Sequence, residues 1–384
     1  FNRLLSSAIS AYGEPNLTSI KNEVKIQKNQ KAIDKKEYYL IENLEQIDNW
    51  ITEAEELGEV AVDTETNSLD PHQADLVGVS LSSKIGKACY IPIGHKSNKC
   101  IEKDLVLKKL KPLLEDPSIK KIGQNIKFDF IVFFKHGINM TSMEDTMLMS
   151  YVLDAGKNRH NMDTLSEIHL NHKTISFKDL VGTGKKEINF SEVDVEKAKD
   201  YAAEDADITF RLYKKFQKSL KDEKMINIYE IFEKPLLKIL AYMEIEGVKI
   251  DNKFLKSLSA KFEKKIIKIQ NEVFKISKKE FNIASPKQLG EILYNDLKIA
   301  DLKKTKKGSF ATSASVLEDL AFKGHKFPQL VLDWRQVSKL KNTYSDSLPE
   351  HINPNTQRVH TSFLLAATTT GRLASSDPNL QNIP

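Results

Sequence analysis

Residues Glu59–Asp70 read EVAVDTETNSLD. Glu59 to Asp63 is a short apolar run ending in acid, and it reads as a strand that delivers Asp63 and Glu65 at its exit. Residues i and i+2 of a strand project to the same face, so the two carboxylates can converge on one point. Downstream, Leu76–Leu81 (LVGVSL) and Ala88–Ile93 (ACYIPI) have the Val/Ile/Tyr content and turn-type flanks of further strands. Helical spacing then takes over at Lys103–Leu114, Phe128–Lys135 and Met143–Leu153, and again from Val193 to Leu220. Strands first and helices after predict an α/β sheet domain over residues 36–221.

An Asp-x-Glu at a strand end says little alone, because exposed strand ends account for most of them. Its weight comes from two other segments. Asn125-Ile126-Lys127-Phe128-Asp129 places an acid at the start of an apolar helix, where the plain structural reading is an acid suiting the helix dipole. Tyr201–Asp207 reads YAAEDAD. On a helix Tyr201 and Asp205 stand at i and i+4 and share a face, which singles out Asp205 over Glu204. Asp207 falls elsewhere on the wheel and reads as structural. Four carboxylates with one tyrosine, and no His/Cys cluster, select hard cations, Mg²⁺ or Mn²⁺, over Zn²⁺. Two such cations, about 4 Å apart, would turn an acidic pocket into a site for phosphodiester cleavage.

DTETNSLD, NIKFD and YAAEDAD, in that order and at these separations, resemble the three exonuclease motifs of the DnaQ-like superfamily in its tyrosine-bearing branch. The resemblance implies a ribonuclease H-like fold and a 3′→5′ exonuclease using two divalent cations. It implies that Asp63, Glu65 and Asp205 hold the first cation with the substrate phosphate. Asp63 would also bridge to the second, whose water shell Asp129 anchors. Tyr201 would orient the attacking water as positioner, not base, since a free phenol has a pKa of about 10. Leu69 and Phe177 match the positions that wedge and stack the terminal nucleotides, and Asn125 one that contacts the substrate backbone.

The second half changes character. Ile226–Glu246 and Asn252–Lys279 read as long helices, the latter rich in lysine, and Ser285–Pro286 starts another. Lys303–Ser309 (KKTKKGS) is a basic loop, Phe322–Tyr344 is helical, and a strand pair is expected after His351. EKPLLKILAYMEIEGVKID (233–251), FNIASPKQLGEILY (281–294) and above all TGRLASSDPNLQNIP (370–384) resemble the family A DNA polymerases, the bacterial DNA polymerase I family. That resemblance runs from about residue 36 to the end. It implies that residues 222–384 are a mostly helical thumb and the start of a palm. Thr312, Arg335 and Lys339 would lie near the duplex backbone, and Arg372, Asn379, Gln381 and Asn382 at the primer–template junction. The KKTKKGS lysines would form the thumb tip, neutralising phosphates without reading sequence. The aspartates of the family's polymerase site lie beyond PNLQNIP, so these 384 residues are expected to digest DNA and not to extend it.

The whole chain is 40% hydrophobic and 29% charged, ample for two or three domains. Its ends set the expectation of a piece from a longer protein: it opens on Phe1, residues 1–35 read as a linker or the tail of a 5′-nuclease domain, and Phe1–Gly13 resembles such a tail loosely. Residues 222–384 hold 26 Lys+Arg against 19 Asp+Glu, whereas residues 1–221 hold 32 against 34. A basic half beside a slightly acidic one suits a DNA-binding module attached to a carboxylate-rich one. No apolar run approaches the ~20 residues of a membrane span, and no signal peptide opens the chain. Cys89 and Cys100 have no metal-ligand spacing and read as free thiols in a reducing compartment, which points to a bacterial cytoplasm. The expected partners are a single-stranded 3′ DNA end and a primer–template duplex, with a monomeric full-length protein. Two other readings remain open. A ribonuclease D-like RNA exonuclease would share the carboxylate motifs but continue with a different helical module. An inactive DNA-binding scaffold would be expected to have lost carboxylates that this chain retains.

Overall fold

The computed structural model describes residues 37–96, 99–299 and 310–384. The expected linker at 1–35 and the basic loop at 303–309 lie outside the described residues. The chain forms two compact units: one runs to Ile245 and takes in Phe363–Ala374, the other comprises Glu246–Ser362 with Ser375–Pro384. Beyond residue 221, Tyr229, Leu237, Leu240 and Ala241 bury into the same core as the sheet.

The first unit is built on a six-stranded sheet. Its strands are β1 (Glu37–Leu40), β2 (Glu59–Thr66), β3 (Leu76–Lys84), β4 (Lys87–Pro92), β5 (Lys120–Gly123) and β6 (Met143–Asp145), in the order β1-β4-β3-β2-β5-β6. β2, β3 and β4 form an antiparallel meander, while β5 lies parallel to β2, β6 parallel to β5, and β1 parallel to β4. This is the ribonuclease H-like arrangement that the motifs imply. Helices α1 (Leu44–Leu57), α2 (Lys103–Glu115), α3 (Lys127–Lys135), α4 (Thr146–Asp154), α5 (Met162–Leu170), α6 (Phe177–Val181) and α7 (Val195–Asp222) complete the layers, followed by α8 (Lys234–Glu246).

The strand α7 must approach most closely is lined with small residues. In register, Asp63 faces Ser80 and Glu65 faces Gly78, and Ser80 in turn faces Tyr90. The Tyr90 ring fills the space a Cβ on Gly78 would need, 2.1 Å from its hydroxyl. The helix answers with Ala198 and Ala202 against Val77 and Tyr90, and with Ala203 and Ala206 against Ala88. Small residues on both sides let the helix backbone come close, and that proximity brings Asp205 to the acids of β2.

Three expected helices differ in detail. Met143–Leu153 is not one helix: Met143–Asp145 pairs with β5, and the Asp145 carboxylate then caps α4 by accepting the N–H groups of Met147 and Leu148. Ile226–Glu246 is helical throughout but widens into a π-type turn at Tyr229–Glu233. Phe322–Tyr344 is not one helix: Phe322 closes the helix Ala314–Phe322, and Gly324, whose φ of +90° interrupts a helix, follows. A second helix, Lys326–Leu340, then runs on into a π-type turn at Lys341–Asp346.

In the second unit Asn252–Ser277, Ala314–Phe322 and Lys326–Leu340 pack around Ile269, Val273, Leu293, Leu317, Phe327 and Val331. Ser285 caps the helix at Pro286–Gly290, with Pro286 in its first turn as expected. Elsewhere in the chain, short strands at Ser362–Leu364 and Ala374–Ser376 form the pair expected after His351. Among the described residues no helix is long and apolar enough to cross a membrane.

Candidate metal centre

Asp63 and Glu65 leave β2 on one face, and Asp205 descends to them from α7. Carboxylate oxygens of the three lie within 4.8 Å of one another. Glu65 is buried and among the described residues its Oε1 has no hydrogen-bond partner, which in a native protein calls for an explanation. Burial, reinforced by the neighbouring acids, pushes the carboxyls of Asp63, Glu65 and Asp129 well above the usual carboxylate range. Burial raises Asp205 to about 8, against the Tyr201 hydroxyl, which lowers it by hydrogen-bonding to its carboxylate. Crowded oxygen donors that repel one another, with one acceptor left over, fit a hard divalent cation.

Asp129 stands in the first turn of α3, also buried. Its Oδ1 accepts the backbone N–H of Thr64 at 2.9 Å and the Thr64 hydroxyl at 2.5 Å, so it is held to the residue between the two β2 acids. It lies outside the tight trio but lines the same cavity, of about 520 Å³. Tyr201, one turn before Asp205, also lines it. Burial and the surrounding acids drive its hydroxyl pKa upward, so the phenol keeps its proton.

The cavity rim carries the other expected residues. Leu69 is 93% exposed and Phe177 42%. Asn125 has a φ of +60°, and its N–H is held by Asp145 at 3.1 Å. Sequence reading missed Phe190, which stacks on Phe177 with 3° between ring planes and 6.2 Å between centroids. Phe190 belongs to no motif, and only the long-range contact reveals it. Asp207 is structural as expected: it is fully buried and accepts from Tyr38 Oη, Gly86 N and Arg211 Nε at 2.8–2.9 Å.

The expected duplex contacts are not brought into this site. Arg372 belongs to the first unit and is exposed, with its backbone N–H and carbonyl bonded to the Thr368 hydroxyl. In the second unit, Arg335 Nη1 donates to the Thr312 carbonyl at 2.8 Å, and Lys339 is exposed. Asn379, Gln381 and Asn382 are exposed, the Asn379 side chain accepting the Gln381 N–H at 3.0 Å.

Residues 38–221 match the family model described as 3′-5′ exonuclease, and residues 252–384 that of DNA polymerase family A. The chain belongs to the family A DNA polymerases, with a 3′-5′ exonuclease domain ahead of the polymerase segment. Its similar curated proteins include the DNA polymerase I of Rhizobium leguminosarum, 45% identical over 373 residues, covering 91% of this chain and 36% of that protein. The DNA polymerase I of Pseudomonas aeruginosa is 42% identical over 344 residues, covering 88% and 38%. The chain thus spans little more than a third of the curated relatives it matches. Among solved structures it resembles the POL domain of Pol1 from M. smegmatis in complex with a DNA primer-template and dNTP. There the TM-score is 0.75 at 25% identity, covering 90% of this chain and 56% of that one.

Proposed function

We propose that residues 36–221 form a two-metal-ion 3′→5′ exodeoxyribonuclease that proofreads DNA 3′ ends within a cytoplasmic, monomeric bacterial DNA polymerase I. Residues 222–384 would be the opening of its polymerase domain. The observation that carries the reading is the convergence of Asp63, Glu65 and Asp205 beside Tyr201, with a buried Glu65 oxygen left unpartnered among the described residues.

Asp63, Glu65 and Asp205 would hold one divalent cation and Asp63 a second, with Asp129 anchoring its water shell. Cations bound there would offset the charge of the scissile phosphate and acidify an attacking water. The chain's own residues do the rest. Tyr201, protonated and bonded to Asp205, offers its hydroxyl oxygen as acceptor and so orients the water without removing its proton. Leu69 and Phe177 present apolar surface to the terminal bases, a contact that tolerates any sequence, while Asn125 meets the backbone. The water–phosphorus bond forms as the bond to the penultimate 3′ oxygen breaks, releasing a nucleoside 5′-monophosphate. Thr312, Arg335, Lys339, Arg372, Asn379, Gln381 and Asn382 would meet the primer–template.

A gel time course on 5′-labelled single-stranded DNA with Mg²⁺ tests this, with RNA of the same sequence, a primed template with dNTPs, and EDTA in parallel. The expected result is a ladder shortening from the 3′ end of DNA, stopped by EDTA, with no primer extension. Preferential digestion of RNA would favour the ribonuclease D-like reading. No digestion of either, with Mn²⁺ as with Mg²⁺, would favour the inactive scaffold.

A further inference from the structure

Glu204 precedes Asp205 on α7 yet serves a different neighbour. It is 1% exposed. Its Oε1 lies 3.0 Å from His172 Nε2, and its Oε2 accepts the backbone N–H of Ile175 at 2.6 Å. Both partners belong to residues 171–176, the stretch between α5 and α6, and α6 opens with Phe177. The same stretch is tied to α5: His172 N donates to the Ser166 carbonyl at 3.2 Å, Ser166 Oγ donates to the His172 carbonyl at 2.9 Å, and Thr174 Oγ1 donates to Asp163 Oδ1 at 2.7 Å. A buried carboxylate is retained only where it is well partnered. Here its partners lie on the stretch that leads into Phe177, whose ring centroid sits 6.0 Å from that of Tyr201.

We propose that Glu204 is a positioning residue for the exonuclease substrate. It ties the 171–176 stretch to the helix carrying Asp205 and Tyr201, and thereby sets where Phe177 meets the terminal nucleotide. The inference rests on the reading of Phe177 as a stacking surface. α7 supplies the cluster's third acid from one side chain and the registration of the stacking ring from the next. Losing the Glu204 bonds to His172 and Ile175 releases the stretch on the α7 side while the α5 ties keep it folded. The expected loss therefore falls on substrate binding.

Steady-state kinetics on single-stranded DNA with the whole chain and Mg²⁺ test this. Glu204→Ala is expected to raise KM by about tenfold with kcat within about threefold, the pattern of lost binding. Glu204→Gln can accept from Ile175 and donate to His172, and is expected to stay within about twofold of the parent. In a Phe177→Ala background, Glu204→Ala should add less than about twofold, because the ring it places is gone. A merely structural role would lower kcat through the unfolded fraction and leave KM and that coupling unmoved. Should Glu204→Ala fail to fold, His172→Ala removes the bond to His172 alone, from a side chain 11% exposed, and carries the same expectation with a smaller shift. If Phe177→Ala raises KM while Glu204→Ala and His172→Ala do not, the positioning role is overturned and the stacking reading stands. Independent, multiplying effects of the two sites would overturn it too. An unchanged KM in Phe177→Ala overturns both.

Discussion

Asp205→Asn is expected to lower exonuclease turnover by about a hundredfold or more, and also to make the cation-free protein more heat-stable at pH 8. Asparagine keeps the shape of the side chain but removes one of three crowded anions, and loss of one such electrostatic element costs about 10²–10³ in rate. The stability change has the opposite sign. The Asp205 carboxyl titrates at about 8 in the fold, against about 3.9 in an unfolded chain. A raised folded pKa contributes stability that is complete below the unfolded value and is lost as pH rises through the folded one. Near pH 8 without cation, ionised Asp205 works against the fold, and the neutral amide does not. A gain of about 3 °C or more in melting temperature is expected at pH 8, shrinking towards pH 5. Added Mn²⁺ should raise the parent's melting temperature more than the variant's. Asp63→Ala is expected to match the loss of turnover. A variant that digests single-stranded DNA at the parent rate would refute the site, and equal melting temperatures at pH 8 would refute the charge crowding.

The other large effect concerns the helix that carries Asp129. Lys127, two residues earlier on α3, is buried and donates to the equally buried Glu244 of α8. Burial draws Lys127 below and Glu244 above their ordinary pKa ranges, while the contact between them opposes both shifts. Glu244 also accepts the backbone N–H of Phe363 at 2.6 Å. Glu244→Ala leaves a buried ammonium and a backbone donor without this acceptor, and is expected to cost about 3–5 kcal/mol. That corresponds to a fall of roughly 10 °C in melting temperature. Lys127→Met combined with Glu244→Leu should recover most of the loss, because apolar replacement of a buried pair is often neutral. Calorimetry on the single and double variants decides it. A single variant as stable as the parent would show that the pair contributes nothing.

What the sequence disclosed is what short-range geometry governs. Asp63 and Glu65 are legible through the two-residue period of a strand, and Tyr201 and Asp205 through the four-residue return of a helix. Even the setting apart of Asp205 from Glu204 and Asp207 follows from the wheel, though the partners of Glu204 do not. Elements defined by distant partners were not legible. β5 reads KKIG, polar on paper, yet Lys121 is fully buried because it donates to the carbonyls of Asp116 and Ile119 at 2.5 and 2.6 Å. β6 looked like the first turn of a helix because its three residues become a strand only by pairing with β5. β1 has four residues, and its Tyr38 is tied to Asp207 across 169 positions of sequence. Phe190 matters through the rings it meets in space, those of Phe177, Tyr201 and His95. Such contacts leave no periodicity to read.

The seven residues Tyr201–Asp207 are claimed from several directions at once. Tyr201 and Asp205 face the cavity, Glu204 fastens a connecting stretch, Asp207 anchors β1 and a turn, and the alanines between them set how near the helix comes. The chemical and the architectural demands therefore fall on different letters of one short word. A lineage that abandoned DNA digestion would be released from the first set and still bound by the second. Asp63, Glu65 and Asp205 are expected to drift in such descendants while Glu204 and Asp207 persist. Relatives in which all five acids vanish together would show that architecture exerts no such hold. A dead nuclease of this lineage would thus be recognisable by the acids it keeps.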